Sequence, residues 1–148
     1  QITHNVALSG GAVALSDEAQ GRCQDVNFTG NSASDIGGAV HVWGNDSAFI
    51  MERCSFLKNI AEDLVDGAPV EIINAGGSTS TSGIAYFDPA GPAGGAIATT
   101  EGASVWISAG MVSGNKAGGR GGGAYCAGAN SSVTVKGIDF EGQEAGIW

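Results

Sequence analysis

The sequence predicts an all-β fold, a right-handed parallel β-helix of about five coils, each of about 28 residues. Three observations predict it. First, Gly-Gly-Ala followed by an apolar residue occurs at Gly10 to Val13, Gly37 to Val40, Gly94 to Ile97 and Gly122 to Tyr125. A degraded copy stands at Asp66 to Pro69, so the alanines fall at 12, 39, 68, 96 and 124, spaced 27, 29, 28 and 28. Second, an apolar-x-x-Asn element runs in phase between these copies, as Phe28 to Asn31 and Phe56 to Asn59, and as Ile2 to Asn5 and Val112 to Asn115. Third, the apolar runs are short, β-branched or aromatic, and divided by Gly, Asn and Ser. That marks strands rather than amphipathic helices.

Each element has a physical reason in such a stack. The runs after Gly-Gly-Ala (Val13 to Leu15, Val40 to Val42, Val70 to Ile73) and before the Phe positions (Phe49 to Met51, Ile84 to Phe87, Val105 to Ile107, Val133 to Val135) have strand length. Coils stacked at about 4.8 Å give a column of roughly 24 Å for five turns. Phe28, Phe56, Phe87 and Phe140 are expected to form one internal column of rings. Asn5, Asn31, Asn59 and Asn115 are expected to form an amide ladder at a corner, each Asn taking a left-handed backbone there. Gln143 is a homologous substitute, and Ala90 breaks the row beside Pro89 and Pro92. The paired glycines are expected at the opposite corner, where positive φ is free and no Cβ obstructs the next coil. The chain is expected to be one domain over 1–148, with units near 10–36, 37–65, 66–93, 94–121 and 122–148.

Gly-Gly-Ala-apolar in phase with Phe-x-x-Asn resembles the repeat of the chlamydial polymorphic outer membrane proteins, over nearly the whole chain. The resemblance implies a right-handed β-helical passenger region of a secreted adhesin at the cell surface.

Composition narrows the functions. Fifteen acids against six bases give a formal charge of −9. Such a chain lacks the basic face that nucleic acid requires, and it lacks electrostatic attraction to an anionic membrane. No apolar stretch approaches the roughly 20 residues of a membrane helix. No cofactor or metal is expected: no loop carries dense Asp spacing, His41 has no second ligand at its level, and His4 is isolated. Beginning at Gln1, the chain reads as a processed secreted protein or as a piece of a longer one.

Pectin-active enzymes share this fold, and the acids near the ladder that could serve catalysis are Asp35, Asp63, Asp66 and Asp88. Asp35 and Asp63 each follow a ladder Asn by four residues and so fall on adjacent coils, where two carboxylates suit acid–base work. The row stops there, because Gly94 and Gly119 hold the same phase and Arg120 is not on an adjacent coil. A solvated turn is the better reading, and no enzyme is expected. Cys23, Cys54 and Cys126 form an odd set. An offset of three positions separates Cys23 and Cys54 by about 10 Å along a strand, too far for a disulfide unless a bulge intervenes. They are expected to be buried thiols, with a Cys23–Cys54 bond as the alternative. Asn27, Asn45 and Asn130 lie in N-glycosylation sequons. Trp43, Trp106 and Trp148 fall at different phases and form no sugar platform.

The expected function is an extracellular structural or adhesive module. A stack offers unpaired strand edges at both ends, and the chain begins and ends at the same phase of the repeat. Expected partners are therefore a further copy stacked head to tail into a filament, or more of the same chain, with host or matrix glycans and proteins besides. The alternative is a carbohydrate-binding or pectin-lyase-like glycan-active β-helix.

Overall fold

A computed structural model describes residues 1–62, 72–73, 79–80 and 92–146. Among these residues there are strands and turns and no helix. The chain passes repeatedly through three parallel sheets. Its first pass supplies β1 (Ile2–Thr3), β2 (Val6–Ser9) and β3 (Val13–Leu15). Next come β4 (Gln20–Gln24), β5 (Asn27–Thr29), β6 (Ser32–Ile36) and β7 (Val40–Trp43). Then follow β8 (Ala48–Leu57) and β9 (Ile60–Ala61). After a small antiparallel pair, β10 (Ile72–Ile73) with β11 (Thr79–Ser80), the passes resume. They continue through β12 (Ile97–Thr100), β13 (Ser104–Ser113), β14 (Lys116–Ala117), β15 (Ala124–Cys126), β16 (Ser132–Glu141) and β17 (Glu144–Ala145).

The first sheet stacks β1 on β5, then β4 and β5 on β8, then β13 and β16. The second runs β2-β6-β9-β14-β17 and the third β3-β7-β12-β15. Every pairing in these three sheets is parallel. One strand per sheet per turn is the arrangement of a parallel β-helix. Side chains alternate about the strand, so every second residue enters the column. Phe28, Met51, Phe56, Val40, Val42, Ile97, Val105, Ile107 and Val112 are fully buried there.

Three expectations change in register. Residues 37–62 stack directly on 92–117, because β7 pairs β12, β8 pairs β13 and β9 pairs β14. The unit expected at 66–93 does not stand between them. Ile36 bridges to Ala93 and Ala93 to Arg120, so Ala61-Glu62-Pro92-Ala93 matches Ala33-Ser34-Asp35-Ile36 and Ala117-Gly118-Gly119-Arg120. Residues 63–91 are thus inserted at one point of an otherwise regular repeat. The run expected at Val70 to Ile73 contributes Ile72 and Ile73 to an antiparallel pair instead of a parallel ladder.

The last glycine motif shifts by one. Val13, Val40, Ile97 and Ala124 are in register, so Gly121-Gly122-Gly123-Ala124 is the fourth copy. Backbone conformation sets this register. Gly10, Gly37, Gly94 and Gly121 all have positive φ, between 60° and 69°. A Cβ on any of them would meet the carbonyl oxygen three residues on at 2.2–2.4 Å. The second glycine serves the stack: a Cβ on Gly11, Gly38 or Gly95 would lie 2.1–2.2 Å from the carbonyl of Gly38, Gly95 or Gly122. The first glycine makes the turn and the second lets the next coil approach.

Candidate functional site

The amide ladder is continuous. Asn5, Asn31, Asn59 and Asn115 each donate a side-chain N–H to the amide oxygen of the next rung, at 3.0, 3.0, 2.9 and 3.1 Å, the last acceptor being Gln143 Oε1. Their backbone N–H groups donate to the same oxygens. The second side-chain N–H of Asn31, Asn59 and Asn115 goes to the carbonyl of Ile2, Phe28 and Phe56. Asn59 therefore accepts two bonds and donates two, its full complement, while wholly buried. A buried amide without those partners is costly. Asn31 and Asn115 are equally buried, whereas Asn5 is exposed at the start of the stack.

The left-handed residue at this corner is the one before the amide: His4, Gly30, Lys58, Gly114 and Gly142, with φ between 53° and 63°. The Asn itself does not take positive φ, contrary to the sequence expectation. The turn made by its neighbour aims the amide along the stack instead.

The aromatic column is mixed. Ile2, Phe28, Phe56, Val112 and Phe140 follow in register. Phe28 and Phe56 stack at 4.8 Å with planes 6° apart. Val112 separates Phe56 from Phe140, and Phe87 lies outside the described residues.

The joint between the first two full coils carries charge and sulfur. Arg53 makes a two-point ion pair with Asp25, Nε to Oδ1 at 2.7 Å and an Nη to Oδ2 at 2.8 Å. Arg22 pairs with Glu52 at 2.7 Å. The Arg53 guanidinium, helped by Gln24, holds the Asp25 carboxyl below its ordinary range. Both ion pairs are exposed and are worth little alone. Inside the same corner, Cys23 Sγ and Cys54 Sγ lie 3.4 Å apart. Straight-strand spacing hid this contact. Asp25, Arg53 and Ala109 have positive φ, so each strand turns inward between the two positions and brings them together across the bend. Cys54 is buried and Cys23 partly exposed, but Cys126 is exposed, against the expectation of buried thiols.

His41 lies on the third sheet, 8% exposed. Its Nε2 bonds Thr100 Oγ1 at 3.0 Å, its Nδ1 bonds Ser9 Oγ, and its ring stacks on Trp43 at 4.7 Å. Burial pushes its pKa down to about 4. Its neighbours in register are Ala14 and Ala98, with Tyr125 beyond, so sequence phase gave no sign of Ser9 or Thr100.

Asp35 has Pro92 beside it in the next coil and Gly119 after that, by the bridges from Ile36 to Ala93 to Arg120. Asp63, Asp66 and Asp88 lie outside the described residues, as does Trp148. Among the described residues no cluster of three or more His, Cys, Asp or Glu is arranged to hold a metal. No helix among them is long and apolar enough to cross a membrane. Asn27, Asn45 and Asn130 are all exposed. Trp106 is half exposed on the outer face of the first sheet, in register with Ile50 and Thr134.

Residues 25–42 match the family model of the Chlamydia polymorphic membrane protein repeat. The match covers 18 of the chain's 148 residues. The matched segment runs from the Asp25 corner through Phe28, Asn31 and Ala33 to Gly37, Gly38 and Val42. The segment similar to that repeat thus contains a Phe of the column, an amide of the ladder and both glycines of the turn. No curated protein and no solved structure gives a significant match.

Proposed function

We propose that the chain is a structural or adhesive module of a cell surface, a right-handed β-helix whose end engages a further coil, supplied by another copy or by more of the same chain. The polymorphic membrane protein repeat supports the surface location. The hand is the one that parallel crossovers take almost without exception. The observation that carries the stacking reading is the state of the last described pass. Val135 and Phe140 continue the buried column of Ile107 and Val112, yet they are 40% and 46% exposed. Strands β15, β16 and β17 each stand last in their sheets. An uncovered column end with unpaired strand edges is a template for another strand layer. A heterologous contact of this kind builds a linear assembly. The residues that repeat serve the column, which suits a spacer or an adhesive stalk better than a catalyst.

Sedimentation velocity over a concentration series tests this. The chain is expected to self-associate, and Phe140→Asp is expected to abolish association while preserving the β-sheet circular dichroism. A wild-type chain that stays monomeric at the highest concentration overturns association between copies.

Glycan binding is a second reading, favoured by one observation: Trp106 offers an exposed ring beside exposed Ile50. Loss of glycan-array binding on Trp106→Ala, with unchanged sedimentation, would favour it.

A further inference from the structure

The two sulfurs at the first full joint call for a reason beyond packing. Position for position, Cys23 is followed up the stack by Met51, Ile107 and Val135, and Cys54 is preceded by Val26 and followed by Gly110 and Ile138. The fold fills these places with apolar groups of several sizes. Sulfur stands at both only on the diagonal between one pair of adjacent coils. The two ion pairs, Asp25–Arg53 and Arg22–Glu52, clamp the same two coils in register on the outside of that corner. Sγ–Sγ contact at 3.4 Å needs only a modest approach to reach the roughly 2.05 Å of a disulfide.

We propose that Cys23 and Cys54 are a redox-closable pair, a thiol-modification site that staples the coil containing β4 and β5 to the coil containing β8. The oxidant class is a low-molecular-weight disulfide, RSSR. Cys23 is the sulfur that it reaches, because Cys54 is buried. Cys54 loses its proton to solvent first, and Cys23 attacks as it passes its own proton to the Cys54 thiolate, which gives it up again to the released RS⁻. Cys23 forms a mixed disulfide and releases RS⁻ with the electron pair of the broken S–S bond. Cys54, as thiolate, then attacks Cys23 Sγ and expels the second RS⁻. Two protein thiols are oxidised to one disulfide, and RSSR is reduced to two RSH.

The pair is prepared for this chemistry. The Cys23 S–H, donated to the Cys54 sulfur, brings the Cys54 thiol down to about 7 against the opposing effect of burial. The same bond, with burial, drives Cys23 up, so one proton is held between the two sulfurs. A thiol that ionises near neutrality is the effective nucleophile in exchange.

The test uses the 148-residue chain with Cys126→Ser, which removes the exposed third thiol. The protein is incubated with oxidised glutathione at mildly alkaline pH, then examined by intact mass and non-reducing peptide mapping. The expected result is loss of two hydrogens and a single cross-linked peptide pair joining Cys23 to Cys54. Closure is also expected to raise the folding equilibrium constant on the order of 100-fold, read from urea midpoints with and without reductant. Adding Cys23→Ser is expected to leave Cys54 unmodified in the folded protein. An unchanged mass, stable glutathione adducts without ring closure, or cross-linking only in denaturant would overturn the proposal.

Discussion

The middle of the column and its last pass are built from equivalent residues and live in different surroundings. Phe56 and Phe140 share a register row, yet Phe56 is fully buried and Phe140 is 46% exposed. Ala33, Ala61 and Ala117 are buried where Ala145 is exposed. Asn59 has a rung on either side, while Gln143 has one only on the Asn115 side among the described residues. The residue type alone therefore does not stabilise this fold. A side chain contributes in full only when a neighbouring coil covers it, which is the nearest-neighbour behaviour of repeat proteins.

The largest expected contrast is between the two phenylalanines. Phe56→Ala should cost about 4 kcal/mol, through lost transfer energy and a cavity beneath Phe28. Phe140→Ala, in the monomer, should cost under about 1 kcal/mol, because its ring already meets water. Urea unfolding of each variant measures the gap, and equal losses would mean that the last pass is covered in solution. The amides follow. Asn59→Ala removes the side-chain bonds to the Phe28 carbonyl and both Asn31 donors, and one of the two bonds to the Asn115 oxygen, for a loss of about 3 kcal/mol. Gln143→Ala should lose about 1 kcal/mol by the same measurement.

Acid sharpens the comparison in the middle coils. The His41 pKa is pushed down to about 4 by burial, against about 6.5 unfolded. The unfolded chain then binds the proton more readily, so this contribution is complete above about pH 6.5 and is lost as pH falls toward 4. Between pH 7 and 5 the loss should be about 2 kcal/mol. His41→Gln should flatten that part of the pH–stability curve, as read from thermal melts across the window. The smallest effect belongs to the outer clamp. Asp25→Asn should shift the melting temperature only slightly, and added salt should erase even that difference from wild type.

The strands, the amide rows and the glycine turns were legible because they recur, and recurrence survives in a single sequence. Asn31 and Asn59 announce themselves by sharing a phase with Phe28 and Phe56. Other features were hidden by geometry that sequence distance does not carry. The Cys23–Cys54 contact depends on a left-handed bend at Asp25 and Arg53; Asp tolerates that conformation, but Arg53 in the next coil carries no turn signature. The Ser9–His41–Thr100 bonds join three coils at positions with no common motif. Counting alanines placed a coil at 66–93 because the insertion happens to be nearly one repeat long. Gly123 and Ala124 mimicked the motif one residue late for a similar reason: a run of three glycines fits the pattern in two registers, and only the positive φ at Gly121 chooses between them.

Excising residues 63–91 tests the central claim most directly. Joining Glu62 to Pro92 leaves Ala61-Glu62-Pro92-Ala93 as an ordinary stretch of repeat, with Asn59 still bonded to Asn115. The shortened chain is expected to keep its β-sheet spectrum, to unfold in one cooperative transition, and to protect the Asn31, Asn59 and Asn115 amides from hydrogen exchange as the intact chain does. Loss of cooperative unfolding, with rapid exchange at Asn59 and Asn115, would contradict that claim and show that the two halves of the column need those residues in order to stack.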